Sequence, residues 1–201
     1  MAIRQPDLFA AGLGWPAGFR YTEAFLSAAD EAALLAEIAR LPFENARYKE
    51  WTANRRVMSY GGRYDFSANE LKPAGPVPPF LHDLRAAAAQ FIGVPAGELT
   101  HALVAEYRAG TQLGWHRDVP EFELVVGVSL LASARMRLRR YPHVVGRGNR
   151  SLAIDLAPRS AYSLRGEARS SWQHAISPTP ALRYSITFRS LRRNEVCQRG
   201  G

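Results

Sequence analysis

Gly114-Trp115-His116-Arg117-Asp118 is the stretch on which the reading of this 201-residue chain turns. Side chains alternate with a period of two along an extended segment, so His116 and Asp118 can face the same side and hold one metal ion between them. A second histidine from a distant strand would complete two imidazoles and one carboxylate on one face of the metal, with the opposite face open. That is the ligand set of a non-haem Fe(II) oxygenase. The chain has five histidines. His82 sits in a helical run, His101 precedes a strand and His143 lies in a turn region rich in Arg and Gly, which leaves His174. Taken alone, His-x-Asp is a weak signal, because a turn carboxylate beside a surface histidine produces it as well.

The second decisive stretch lies near the C-terminus. From Leu182 to Arg189 the alternation is complete: Leu182, Tyr184, Ile186 and Phe188 point one way, and Arg183, Ser185, Thr187 and Arg189 the other. The apolar set is core packing. The polar set puts two guanidinium groups and two hydroxyls into what should be a well-covered sheet, and a buried Arg without an anionic partner is too costly to expect. Six residue steps separate the two Arg backbones by roughly 20 Å, and the side chains reach inward from each end. The gap suits a short dicarboxylate gripped at both ends by bidentate bonds. Asp or Glu on neighbouring strands would satisfy the same two arginines.

Taken jointly, His116-x-Asp118, His174 and Arg183-x5-Arg189 resemble the AlkB family of Fe(II)- and 2-oxoglutarate-dependent dioxygenases of bacterial type. Tyr107 stands where the family has a tyrosine ahead of its first ligand, and Tyr60-Gly61-Gly62-Arg63-Tyr64-Asp65-Phe66-Ser67 is similar to its nucleotide-recognition lid. The resemblance runs over residues 20 to 193. It implies that His116, Asp118 and His174 bind Fe(II) and carry catalysis, that Arg183 and Tyr107 hold the distal carboxylate of 2-oxoglutarate, and that Arg189 sits near the metal-bound end and the substrate pocket. It further implies O2 as cosubstrate and oxidative demethylation of 1-methyladenine or 3-methylcytosine in DNA or RNA, with release of formaldehyde, succinate and CO2. Phe66 would stack on the target base, with Tyr64 and Tyr60 lining the pocket. Trp115 and Arg117 flank the ligands and would shape the site.

The chain departs from the family at three places. Ala105 replaces an Asn that often precedes the tyrosine by two residues, and Ser185 replaces an Asn within the closing strand, where it would reach the cosubstrate through water. Pro120 occupies a position where some members carry an acidic base contact, for which Glu121 or Glu123 would have to substitute. The same chemistry on a methylated protein side chain, or a roll that only binds nucleic acid, are the alternatives.

Composition narrows the class. The net charge is +8, and all but two of the 26 basic residues are arginine, Lys49 and Lys72 being the lysines. Arg135, Arg137, Arg139, Arg140, Arg147 and Arg150 fall within one short span, enough to neutralise several phosphates if they share a surface. Arg137 and Arg139 are therefore candidate substrate contacts, and nucleic acid is the expected partner. A solvated basic face with no dedicated partner would look the same. The single Cys197 excludes a disulfide framework or a cysteine zinc site and fits a reducing cytoplasm. No apolar run is long enough to span a bilayer, and the N-terminus has no apolar core of a leader. No membrane association and no obligate protein partner are expected, and a monomer is the expectation.

Length and the absence of a Pro/Gly/Ser linker give one domain over residues 1–201. Residues 1–20 read as an irregular arm broken by glycine and proline. Ser27 with Asp30 opens a packing helix that runs towards Pro42, and a second helix covers Pro79 to Gln90 with Gly93 as its stop. Residues 43–78, with Trp51, Tyr60, Tyr64 and Phe66, form the lid region, unless these aromatics simply cap the core. From residue 99 to 193 short alternating strands follow one another: Ala102 to Tyr107, Phe122 to Leu130, Arg135 to Arg139, Ser151 to Leu156, Arg159 to Leu164, Ser171 to Ile176 and Leu182 to Phe188. The class is α+β, a jelly roll backed by N-terminal helices. The resemblance implies its double-stranded β-helix form with an aromatic, basic lid.

Overall fold

In the computed structural model, residues 14–48, 51–65, 67–143 and 151–192 are described, with backbone alone at 47, 48 and 51–54. Phe66, Arg147, Arg150, Cys197 and the first part of the expected arm lie outside the described residues, as does any statement about the Trp51 side chain.

The chain begins with strand β1 (Phe19–Thr22) and helix α1 (Ala28–Ile38). The Ser27 hydroxyl accepts from the Asp30 amide at 3.1 Å, and the Asp30 carboxylate accepts in return from the Ser27 amide at 3.3 Å. This reciprocal pair satisfies two amides that the helix start would otherwise leave bare. Strands β2 (Glu44–Tyr48) and β3 (Trp51–Tyr60) follow, then a small hairpin of β4 (Arg63–Asp65) and β5 (Glu70–Lys72). Helix α2 (His82–Ile92) grows from a single 3-10 turn that starts at Pro79 and ends on Gly93, whose φ of 73° is the left-handed conformation that closes a helix. After a 3-10 turn (Ala96–Glu98), the remaining elements are β6 (His101–Tyr107), β7 (Leu113–His116), β8 (Phe122–Leu130), β9 (Ala134–Arg140), β10 (Leu152–Leu156), β11 (Ala161–Leu164), helix α3 (Gly166–Ser170), β12 (Trp172–Ile176) and β13 (Arg183–Leu191).

Every pairing in the two main sheets is antiparallel. The larger sheet has the order β1-β11-β8-β13-β6-β3-β2, and the smaller β10-β9-β12-β7. Alternation sorts each strand between two cores. On β8, Leu124, Val126, Val128 and Leu130 join Val104 of β6 and Ile186 and Phe188 of β13 in a cluster with Leu34 and Ile38 of α1 and Leu84, Ala88 and Phe91 of α2. The helices thus cover the outer face of the large sheet. Removing the fully buried Phe188 ring would cost about 3–5 kcal/mol by cavity formation. The opposite faces meet the small sheet: Val125 packs with Met136 and Leu138 of β9, Leu156, Leu164, Trp172 and Ile176. That inter-sheet layer fills one end of the roll and leaves the other for a pocket.

The expected jelly-roll arrangement of mostly antiparallel sheet with few helices is present, with two corrections towards the N-terminus. Phe19–Thr22, placed at the edge of an irregular arm by the sequence, is an edge strand paired with β11. Residues 44–48 and 51–60, assigned to a lid, are two sheet strands, with β3 hydrogen-bonded directly to β6. Their mixed aromatic, Arg and Asn composition hid the alternation. Among the described residues no helix is long and apolar enough to cross a membrane.

Candidate active site

β7 and β12 are antiparallel neighbours, and His116 lies directly across from His174. Their rings stand 4.2 Å apart, centre to centre. Asp118, two residues after His116, turns back to the same point, with Oδ2 3.7 Å from His174 Nε2. One ligand atom from each of the three lies within 4.8 Å of the other two.

The protonation states are set by the surroundings. Burial pushes the His174 imidazole down to about 3, and the neighbouring His116 adds to that. Burial also lowers His116, against the pull of Asp118. The Asp118 carboxyl feels burial in the opposite sense, but Arg189 and the two imidazoles outweigh it and hold it well below the usual carboxylate range. The outcome is two neutral imidazoles and one carboxylate, the forms that ligate a divalent metal. His116 Nδ1 is 2.9 Å from the Gly114 carbonyl oxygen, so it carries the proton and leaves Nε2 as the donor atom. Arg189 Nε donates to Asp118 Oδ1 at 2.8 Å, leaving Oδ2 to face the imidazoles. Arg169 on α3 donates to the carbonyls of Val119 and Phe122 and pins the loop that follows Asp118. Of the other histidines, His82 Nε2 contacts the Val77 carbonyl, and His101 Nδ1 contacts the Thr100 hydroxyl.

From the triad a pocket runs between the sheets, about 460 Å³ when the space that opens to solvent is counted. Leu103, Leu113, Val125 and Ile176 supply apolar walls, and Ser185 and Thr187 line the side formed by β13. The far end is cationic. Arg183, 1% exposed, donates from Nε to Ser129 Oγ at 2.9 Å, while its Nη1 is buried with no acceptor. Arg55 of β3 reaches the same end, donating from Nη1 to the Tyr107 hydroxyl at 3.2 Å, and its Nε is also buried without an acceptor. Burial alone would raise Tyr107, but Arg55 and Arg183 overturn this and lower it. Buried guanidinium N–H groups with no partner are expensive, and here they line the wall of a cavity that is ready to receive an anion.

Tyr162 adds a neutral donor. Burial pushes its hydroxyl up to about 12, so it keeps its proton, and no described residue accepts from it. Its ring fits only because residue 127 is glycine. A Cβ there would stand 2.6 Å from the Tyr162 oxygen and closer still to two ring carbons.

The structure brings some of the expected site residues together and places others apart. His116, Asp118, His174, Tyr107, Arg183, Ser185 and Arg189 all line one pocket. The two arginines of β13 do not grip a ligand from both ends, however. Arg189 is bound to Asp118 and positions a metal ligand, and the partner of Arg183 at the anion end is Arg55, which the sequence reading missed along with Ser129 and Tyr162. Tyr60 is 8% exposed and packs in the helix-side core, away from the pocket. Tyr64 donates to Asn69 across the β4–β5 hairpin at 2.7 Å. Glu121 lies outside the pocket lining, with Oε2 buried and without a donor among the described residues. Arg137 and Arg139 are on the outer face of β9, against Trp115. Trp115 and Arg117 do not shape the cavity, because the alternation that turns His116 inward turns them outward.

A family model described as the 2OG-Fe(II) oxygenase superfamily matches residues 18–189. Among solved structures, one titled as the structure of OsALKBH1 superposes with a TM-score of 0.62 at 17% identity, covering 86% of this chain and 98% of that one. A prolyl hydroxylase from Trichoplax adhaerens, in complex with a hypoxia inducible factor oxygen degradation domain peptide fragment, superposes with a TM-score of 0.61 at 16% identity, covering 87% of this chain and 83% of that one. At these identities the likeness is one of fold. A comparison with curated proteins found no match.

Proposed function

The chain belongs to the 2OG-Fe(II) oxygenase superfamily, and from that premise we propose that it is an oxidative demethylase of N-alkylated nucleobases in DNA or RNA, with 1-methyladenine and 3-methylcytosine as its substrates. The family uses Fe(II), 2-oxoglutarate and O2, and the residues present fit that set. Two imidazoles and a carboxylate supply the metal ligands, and the orphaned Nη1 of Arg183 marks where an anion would bind. This orphaned group carries the reading of the pocket as a diacid site.

His116, Asp118 and His174 would hold the iron, and Arg183, Arg55, Tyr107 and Tyr162 the cosubstrate. Ser129 holds Arg183 in place, and the apolar walls exclude water that would discharge the oxidant unproductively. When bound, the iron and cosubstrate supply the oxidising power: 2-oxoglutarate becomes succinate and CO2, and one oxygen atom of O2 enters a C–H bond of the N-methyl group. The hydroxymethyl group so formed loses its hydroxyl proton as the C–N bond breaks, giving formaldehyde and the free base nitrogen.

A nucleic-acid substrate is supported by the net charge of +8 and by arginines close to the metal triad that lack carboxylate partners. A protein substrate is the second reading, favoured by the near-equal likeness to a prolyl hydroxylase held with a peptide. Oligonucleotides bearing 1-methyladenine, as single-stranded DNA, duplex DNA and RNA, are compared with methylated and proline-containing peptides under Fe(II), ascorbate and 2-oxoglutarate. Formaldehyde from an oligonucleotide supports the proposal. Succinate formation coupled only to a peptide overturns it.

A further inference from the structure

The outer face of the small sheet carries an arrangement that the pocket does not use. Met136 and Leu138 of β9 point into the inter-sheet core, so Arg135, Arg137 and Arg139 point out. On β7 and its continuation, Trp115 and Arg117 face the same way. β12, between them, contributes Gln173 and the small Ala175, over which the long side chains from either side can meet. The Arg137 and Arg139 guanidinium carbons lie 5.0 and 4.3 Å from the Trp115 ring centre, and that of Arg117 lies 3.9 Å from the ring of Tyr141. Tyr141 is 44% exposed.

The charges on this face are unevenly compensated. Arg135 donates to both oxygens of Asp155 at 3.1 Å, and Arg140 pairs with Glu167 at 3.4 Å. Arg117, Arg137 and Arg139 have no carboxylate partner among the described residues. Arg117 donates to the Ser170 carbonyl, Arg139 to Gln173 Oε1, and Arg137 Nε is buried with no acceptor. Three guanidinium groups thus lie over aromatic rings, Arg137 and Arg139 on a sheet strand and Arg117 just past the end of β7, with hydrogen-bonding capacity to spare. Stacked arginines of this kind keep their forked donors for a phosphate.

We propose that this face is a track for the phosphodiester backbone of single-stranded nucleic acid on either side of the base in the pocket. β7 is the edge of its sheet, and Arg117 on the outside is the residue next to the metal ligand His116. A strand that delivers one base to the metal therefore passes its neighbouring nucleotides over that edge. Arg137 and Arg139 are spaced by roughly 7 Å along β9, and β7 lies roughly 10 Å away across β12, so the three groups span two or three phosphates. Tyr141 offers a face for a neighbouring base. A lipid surface fits less well, because the other large exposed apolar side chains, Leu131, Leu182 and Leu191, lie elsewhere. The choice of occupant rests on the nucleic-acid reading given above, but not on the demethylation chemistry.

The test measures fluorescence anisotropy of an unmodified strand of about 15 nucleotides over a range of salt, for wild type, Arg135→Gln and the triple variant Arg117→Gln/Arg137→Gln/Arg139→Gln. The triple variant is expected to bind at least tenfold more weakly, with a salt slope flatter by about 2, from roughly 0.7 for each phosphate that is no longer neutralised. Arg135→Gln, already paired with Asp155, should bind like wild type. The triple variant should bind Mn(II) as wild type does, which shows that it folds, and a methylated trinucleotide with wild type tests the chemistry on a strand too short to gain from the whole track. Unchanged affinity and slope in the triple variant, or wild-type affinity that does not rise from three nucleotides to the longer strand, overturns the track. Binding to phosphatidylserine vesicles that the oligonucleotide cannot displace overturns it in favour of a lipid. Absence of formaldehyde from the trinucleotide with wild type counts against the demethylase reading instead.

Discussion

Replacing Gly127 with alanine places a methyl group 2.6 Å from the Tyr162 hydroxyl oxygen, about 1 Å short of ordinary contact. Gly127 lies in the middle of β8, flanked by β11 and β13, so its backbone has no room to retreat. The aromatic ring must move instead, and its hydroxyl leaves the pocket. Overpacking of this kind costs about 1–3 kcal/mol of stability. If the hydroxyl donates to bound 2-oxoglutarate, its loss removes about 1.5–3 kcal/mol, since the acceptor is charged. Affinity for the cosubstrate should then fall roughly 10- to 100-fold. Tyr162→Phe isolates the hydrogen bond: it should show the same loss of affinity without the loss of stability. The assay is anaerobic titration of the iron-loaded protein with 2-oxoglutarate, paired with denaturant unfolding of the metal-free protein. Wild-type affinity in both variants would refute the role given to Tyr162.

Arg183→Met should weaken 2-oxoglutarate binding by at least about 30-fold, as expected when one partner of a buried charge contact is removed. In the same variant the cosubstrate-free protein should be as stable as wild type or more so in denaturant titration, because a buried guanidinium with an orphaned N–H is removed along with its cost. Arg189→Met frees Asp118 from its 2.8 Å partner and should weaken divalent metal binding by about 10- to 100-fold, read by Mn(II) titration. Glu106, buried under the Arg56 guanidinium, has its carboxyl lowered chiefly by that hydrogen bond. Its stabilisation is therefore complete above the ordinary value of 4.5 and is lost as the pH falls through the lowered value, so Glu106→Gln should flatten the acid limb of a pH–stability profile.

The sequence was most legible where one period ran unbroken. The alternations of β8, β9 and β13 located both cores and turned Arg183 and Arg189 inward, and Ser27 with Asp30 marked the start of α1 to the residue. The triad was legible because only five histidines exist and the metal ligands sit two apart. The partners of these groups were not legible, since they are set by pairing between distant strands. That Arg183 would meet Ser129 follows from β13 lying beside β8, and that Arg189 would meet Asp118 from the segment after β7 coming over the same face, neither of which a local pattern announces. Arg55 was missed because β3 mixes arginine, aromatics and asparagine without a clean period. Tyr162 was missed because a tyrosine in a short apolar strand reads as core, and its opening into the pocket depends on Gly127 across the sheet. The outward aim of Trp115 was available from the alternation used for His116.

The central claim is that one iron and one diacid meet between His116, Asp118, His174 and Arg183. Anaerobic addition of Fe(II) and then 2-oxoglutarate, followed by visible absorption, tests it directly, because iron chelated by a 2-oxo acid gains a charge-transfer band. Wild type should bind one iron and develop the band on addition of the diacid, His174→Ala should show neither, and Arg183→Met should require far more 2-oxoglutarate to reach it. No band with wild type, or an undiminished one in His174→Ala, would contradict the account.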